Sequence, residues 1–466
     1  MFVSPREAVL SLWRGVGLEA GLLDGLELSG REPALPSSFA VGTAAQASLA
    51  AAAQAAAVLG RARGQPPQAV CVDMREAALE CCAAFTIDGK APHLWDPIAG
   101  LYRTAGDGPE DGVRLHTNFA HHRDGVLRLL GLPEGAATTR EQVAVALRTR
   151  NALEFEAAAA DAGLVVAALR SFESWERHPQ HSAVAALPLI EIERIGDAPP
   201  LQWPQQTPGA RPLEGLRVLD LTRILAGPVA GRTLAAYGAE VMLVNAPHLP
   251  NIDAIADTSR GKRSALADLR LPADRVRFAA VVGESHVFLQ GYRPGSLPAL
   301  GFGPAHLAAL RPGIVCVSLS AYGRAGPWAD RRGFDSLVQT ATGFNLAEAA
   351  AAGSDEPKPL PAQILDLASA FLLAFGTEAA LLRQSAEGGS WHVQVSLART
   401  AMWLRSLGRV ENGFAAPKAD FSGRMEASDS GFGRLTALRH AARFSATPAR
   451  YARPSVRPGT DPLAWD

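Results

Sequence analysis

Apolar and polar positions change their rhythm on either side of "GDAPPLQWPQQTPGARPLEG" (Gly196–Gly215), whose five prolines can continue neither a helix nor a central strand. After it, short leucine and β-branched runs alternate with helical stretches. "LRVLDLT" (Leu216–Thr222) predicts a strand, "AGP" a turn, "VAGRTLAAYG" (Val229–Gly238) a helix and "AEVMLV" (Ala239–Val244) a second strand. "HVFLQ" (His286–Gln290) and "IVCVSLS" (Ile314–Ser320) predict further strands. This alternation implies an α/β fold with a doubly wound, parallel, Rossmann-like sheet. Ligands of such sheets sit at the carboxyl ends of the strands, so the Leu225–Pro228 turn is a candidate binding edge.

Before the proline-rich stretch, "VRLHTNFAHHRDGVLRLLGLP" and the "TREQVAVALRTRNALEF" region predict a strand followed by amphipathic helices, a smaller α+β domain. The expected organisation is a partial large-domain-like segment at 1–93, the small domain at 94–196 and a linker at 197–214. The main α/β domain follows at 215–410 and a C-terminal return at 411–466.

The two ends of the chain repeat each other. "AAVLGRARGQPPQAVCVDMREAA" (Ala56–Ala78) has the order of features of "AALLRQSAEGGSWHVQVSLARTA" (Ala379–Ala401): helix end, polar turn, VxV strand, new helix. Setting Asp73 against Ser396 places Thr43 against Asp366. An internal pseudo-duplication is therefore expected, with a carboxylate in the second copy only.

Composition narrows the classes. A net charge of -1 with 20% charged residues gives no footprint for nucleic acid. The alanine-rich run Ala44–Leu59 carries Gln46 and Gln54 and is shorter than the ~20 residues of a membrane span, so it reads as a packed helix and no membrane partner is expected. "MFVSPREAVLSLW" has no secretory pattern, and the expected location is cytoplasmic. Four cysteines without a CxxC pair fit buried thiols. His116, His121 and His122 lack the acidic partners of a metal set and read as surface histidines, so no metal is expected. No GxSxG or Walker A motif is present.

One residue stands out. In "PLPAQILDLASAFLLAFG" (Pro359–Gly376) the only charge is Asp366, at the front of a buried helix. It reads either as an N-cap or as a reactive group.

Five blocks follow one another in the second half: "GLRVLDLTRILAGPVAGRTLAAYGAEVMLV", "GKRSALADLR", "GYRPGSLPALGF", "LSAYGRAGPWADRRGFDSLVQTATG" and "LPAQILDLASAFLLAFGTEAALLR". In these blocks and their order the second half resembles the class III CoA-transferase family, which includes formyl-CoA and carnitine CoA-transferases and α-methylacyl-CoA racemase. The resemblance implies that Asp366 is the nucleophile of a CoA-transferase, attacking an acyl-CoA thioester and passing CoA to a carboxylic acid through anhydride and aspartyl-CoA intermediates. It also implies CoA contacts at Ile224, Leu225, Ala226, Arg270, Arg332 and Phe334. Coenzyme A and acyl-CoA would be substrates, with no tightly bound cofactor. The helix start is expected to keep Asp366 ionised. The family's transferases are interlocked dimers, so the resemblance with the repeat implies a pseudo-dimeric monomer or a homodimer.

Two other readings follow from the same motifs. An acyl-CoA racemase or isomerase would need a proton shuttle where "GFD" has Phe334, which cannot carry a proton. A catalytically degenerate CoA-binding scaffold is suggested by Asn245 and Ala246, which replace the acid–base pair usual after the second strand, and by Gly291 and Ala299.

Overall fold

A computed structural model describes residues 2–203, 206–207 and 209–465. Pro204, Gln205 and Pro208 of the expected linker lie outside these residues. Seven strands form the main sheet, in the spatial order Lys262–Leu266, Glu240–Asn245, Arg217–Leu221, Val287–Gln290, Val315–Ser320, Ser390–Ser396, Glu191–Gly196. The first six run parallel, and Glu191–Gly196 runs antiparallel at the edge. The strand order reverses beside Arg217–Leu221, whose neighbours are the next strand in sequence on one side and Val287–Gln290 on the other. That reversal opens a crevice at the carboxyl ends of the two central strands.

The four strands expected after the proline-rich stretch form within a residue or two of the predicted limits. Glu191–Gly196 corrects the domain boundary. It falls in the segment assigned to the small domain, yet it pairs with Ser390–Ser396. The small domain keeps a core of its own, with Tyr102, Val113, Leu127 and Phe155 buried between a three-stranded antiparallel sheet and its helices.

Two long helices lie at the centre of the molecule, Val41–Ala62 and Ile364–Glu387, packed against each other. Small residues let them approach closely and bury nearly every position of both. Ile364–Glu387 has the length and apolarity of a membrane span, and 94% of its apolar window is buried inside the protein. It also lies close on the sheet, because a Cβ at Gly376 would come within 2.6 Å of Val393.

The repeat is visible in these elements. The helices begin at Val41 and Ile364, 323 residues apart. Asp73 and Ser396, also 323 apart, each end a strand and cap the next helix through their side chains. The strands Leu26–Ser29 and Val70–Asp73 pair in parallel, as Val315–Ser320 and Ser390–Ser396 do. Each pair then gains an antiparallel strand, and the two are exchanged. Glu191–Gly196, following the first half, joins the sheet of the second; Arg443–Phe444, from the tail, joins the sheet of the first.

Candidate active site

The turn after the central strand Arg217–Leu221 is built around a buried ion pair. Lys262 Nζ donates to Asp220 Oδ2 and to the Pro228 carbonyl, each at 2.7 Å, and both charged side chains are fully buried. The other Asp220 oxygen accepts from the Thr222 N–H and hydroxyl. The pair thus holds both ends of the segment Thr222–Pro228. Between them Ile224 has φ +77, unusual for a β-branched residue. Gly231 leaves room for the pair, since a Cβ there would lie 2.4 Å from Asp220 Oδ2.

Ile224, Leu225 and Ala226 line a cavity of about 390 Å3 at the crevice, together with Arg332, Phe334 and Asp366. Six of the seven expected site residues are therefore gathered in one place. Arg270 is not. Its exposed guanidinium pairs with Asp268 at 2.6 Å, outside the cavity lining.

Asp366 is not a cap. The N-cap of its helix is Gln363, and Asp366 is the third helical residue, a buried carboxylate at the cavity wall. Its backbone N–H donates to Asp335 Oδ2 at 2.9 Å. Gln339 Nε2 donates to the other Asp335 oxygen. Both carboxyls are buried, and burial together with the Asp335 charge pushes Asp366 well above the ordinary carboxylate range. The expectation that the helix start keeps the acid ionised fails here, because a like charge and loss of water outweigh the ends of the peptide dipoles. Asp335 is raised as well, chiefly by burial.

The remaining lining is strongly cationic. Arg223, Arg293 and Arg331 join Arg332. Arg331 pairs with Glu156 at 3.3 Å and Arg332 donates to the Gly163 carbonyl, both partners belonging to the small domain. His121 and His122 also face the cavity. The histidines are a second correction. His116 and His122 are buried, not superficial, and burial lowers both to about 3. His116 stacks on Phe334 with 3.9 Å between ring centres. Docking of the small domain buries them, which local sequence does not reveal. Among the described residues no His/Cys/Asp/Glu group has a metal-binding arrangement.

Asp335, Arg223 and Arg293 were not singled out from sequence. Asp335 did carry a signal, being the acid that opens the buried helix Asp335–Ala341.

Residues 213–419 match CoA-transferase family III. An acetyl-coenzyme A transferase of Hypoxylon pulicicidum is 29% identical over 67% of this chain and 55% of its own length. A probable fatty acyl-CoA transferase of Mycobacterium tuberculosis is 34% identical over 42% of this chain and 53% of its own. The succinate–glutarate CoA-transferase of Agrobacterium fabrum is 30% identical over 40% and 51%. The crystal structure of a hypothetical protein from Mycobacterium tuberculosis aligns at 34% identity over 42% of this chain and 58% of its own, with a TM-score of 0.39. The chain spans about half the length of the relatives it matches.

Proposed function

We propose that the protein transfers coenzyme A from an acyl-CoA thioester to a carboxylic acid, with Asp366 as the nucleophile. One observation carries the reading: a buried carboxyl opens into the arginine-lined crevice that also contains the Ile224–Ala226 turn. Phosphates of CoA suit the arginines, since guanidinium binds phosphate oxygens in pairs.

In this reading the Asp366 carboxylate attacks the thioester carbonyl, forming a mixed anhydride and releasing CoA thiolate. The thiolate attacks the aspartyl carbonyl, giving an aspartyl-CoA thioester and the free donor acid. The acceptor carboxylate then displaces CoA as a second anhydride, and the thiolate attacks the acceptor's carbonyl to release the new thioester and regenerate Asp366. Asp335 shares one proton with Asp366, so the nucleophile is ionised when that proton sits on Asp335. The apolar helix around Asp366 keeps water from the anhydrides. The two exchanged strands support a chain that pairs its own halves, with Thr43 in the position of Asp366.

Incubation with acyl-CoA and hydroxylamine should leave a hydroxamate on Asp366, read by mass spectrometry. Asp366→Ala should abolish both label and CoA exchange; exchange that survives the substitution sinks the assignment.

A further inference from the structure

A second cavity, of about 200 Å3, adjoins the first. Tyr292, Arg293, Pro294, Leu319 and Ser320 line both. It lies on the sheet face opposite the Asp366 helix. Val393 points to Gly376 of that helix, so the alternate residues His392 and Gln394 point the other way, into the second cavity. Its walls are largely apolar, with Phe288, Leu297, Phe302 and Leu307.

Across this apolar space runs a polar strip. Gln290 pairs in register with Ser318, Ser318 with Gln394, and Gln394 with Glu191, on four neighbouring strands. Buried strands of a parallel sheet usually carry apolar residues there, so the strip calls for a ligand or a partner. Its hydrogen bonds are directional. The Tyr292 N–H donates to Gln290 Oε1, which fixes the amide and makes Gln290 Nε2 the donor to Ser318 Oγ at 2.9 Å. Ser318 Oγ lies 2.8 Å from His392 Nε2. Burial holds His392 neutral, lowering it to about 4. If Ser318 donates to Nε2, His392 keeps an Nδ1–H; if His392 donates, Ser318 keeps its O–H. Either way the pair retains one donor beyond its internal bond.

Charge limits the ligand further. Glu191 neutralises Arg324 at one end of the cavity. The Arg293 guanidinium, on the wall shared with the Asp366 cavity, has no hydrogen-bond or ion-pair partner among the described residues. One cation at the junction and none free inside suit a single carboxylate.

We propose that this second cavity holds the acceptor acid, a short monocarboxylate whose carboxylate lies on Arg293 and whose chain carries a keto or hydroxyl oxygen bound by the Ser318–His392 pair. This rests on the CoA-transfer reading of the adjoining cavity. The carboxylate then stands at the wall shared with the cavity that Asp366 lines. There one of its oxygens forms a bond to the aspartyl-CoA carbonyl carbon while the carbon–sulfur bond breaks and CoA leaves as thiolate.

Calorimetric titration without any CoA tests the site independently of turnover. The probes are 3- and 4-oxopentanoate, pentanoate, 4-oxopentanamide and glutarate. At least one oxo acid should bind ten-fold or more tightly than pentanoate, the amide and glutarate. Ser318→Ala and His392→Phe should abolish the preference over pentanoate, with CoA binding in the same samples confirming the fold. No preference in the unaltered protein, or a preference that survives both substitutions, overturns the site. If Asp366 is labelled by acyl-CoA but the preferred acid receives no CoA, the acceptor role is overturned while CoA transfer stands. Absence of label at Asp366 would instead remove the transfer reading without touching the binding result.

Discussion

Asp335 accepts the backbone N–H of Asp366 at 2.9 Å, and Glu32 accepts that of Thr43, the residue 323 positions before Asp366, at 2.6 Å. In both halves an acid from elsewhere in the chain seals the start of a long buried helix and satisfies a donor the helix cannot pair itself. Only in the second half does the capped residue bring a carboxyl of its own.

The Asp335–Asp366 contact makes a pH prediction. Burial and the neighbouring charge both raise Asp366, burial more. Asp335→Asn keeps an acceptor oxygen for the N–H but removes the charge. Asp366 then ionises more readily, so the acid limb of CoA exchange against pH should move down. A limb that stays in place would mean that the two carboxyls do not share a proton.

The buried Lys262–Asp220 pair predicts a different kind of loss. Lys262→Met leaves Asp220 charged and alone in the core, which costs about 3–5 kcal/mol. It also frees the Pro228 carbonyl and loosens the Thr222–Pro228 turn. Chemical denaturation should show the lost stability. CoA titration below the transition should show weaker binding, because Ile224–Ala226 lose their fixed geometry. The double change Asp220→Leu with Lys262→Met should recover most of the stability and little of the CoA affinity.

Thr43 tests the meaning of the repeat. Its hydroxyl is buried beside the Glu32 carboxyl and makes at most a poorly aligned hydrogen bond to it. Thr43→Val keeps the shape and removes an oxygen with no well-formed hydrogen bond, so stability should hold to within about 1 kcal/mol. Asp366→Asn, the matching substitution in the other half, should leave stability close to unchanged and abolish CoA exchange. Equal losses of exchange at both positions would mean that the first half has its own catalytic part.

Much of this was legible locally. Short apolar strands, the Asp73 and Ser396 strand ends and the small-residue helices are written in contiguous residues, and they gave the sheet and the repeat with its offset. The cavity positions at Ile224–Ala226, Arg332, Phe334 and Asp366 followed from motifs. What was missed depends on approach between distant segments. "EIERIG" is too polar to announce a strand until Ser390–Ser396 offers its edge. Asp335 meets Asp366 across 31 residues, and His116 and His122 are buried only by the docking of the small domain. Arg270 shows the converse, a motif position whose side chain is taken by the nearer Asp268.

Nothing in "FGTEAALL" marks Glu378, because the stretch reads as ordinary helix. It is fully buried halfway along the Asp366 helix, and neither carboxyl oxygen has a hydrogen-bond partner. Burial pushes it well above the ordinary carboxyl value of 4.5. The folded protein therefore holds its proton more tightly than the unfolded chain does. Below about pH 4.5 both states are protonated and folding pays no ionisation cost; as pH rises past that value the unfolded chain ionises first and stability falls. Glu378→Met keeps the bulk and removes the acid, and an unsatisfied buried polar group costs about 1–3 kcal/mol even before ionisation. The variant should be more stable than the parent at pH 8, with the difference shrinking as pH falls to 4. Denaturant titrations at the two pH values read this directly. A gap that widens towards acid pH would mean that Glu378 is ionised in the fold and held by a partner charge.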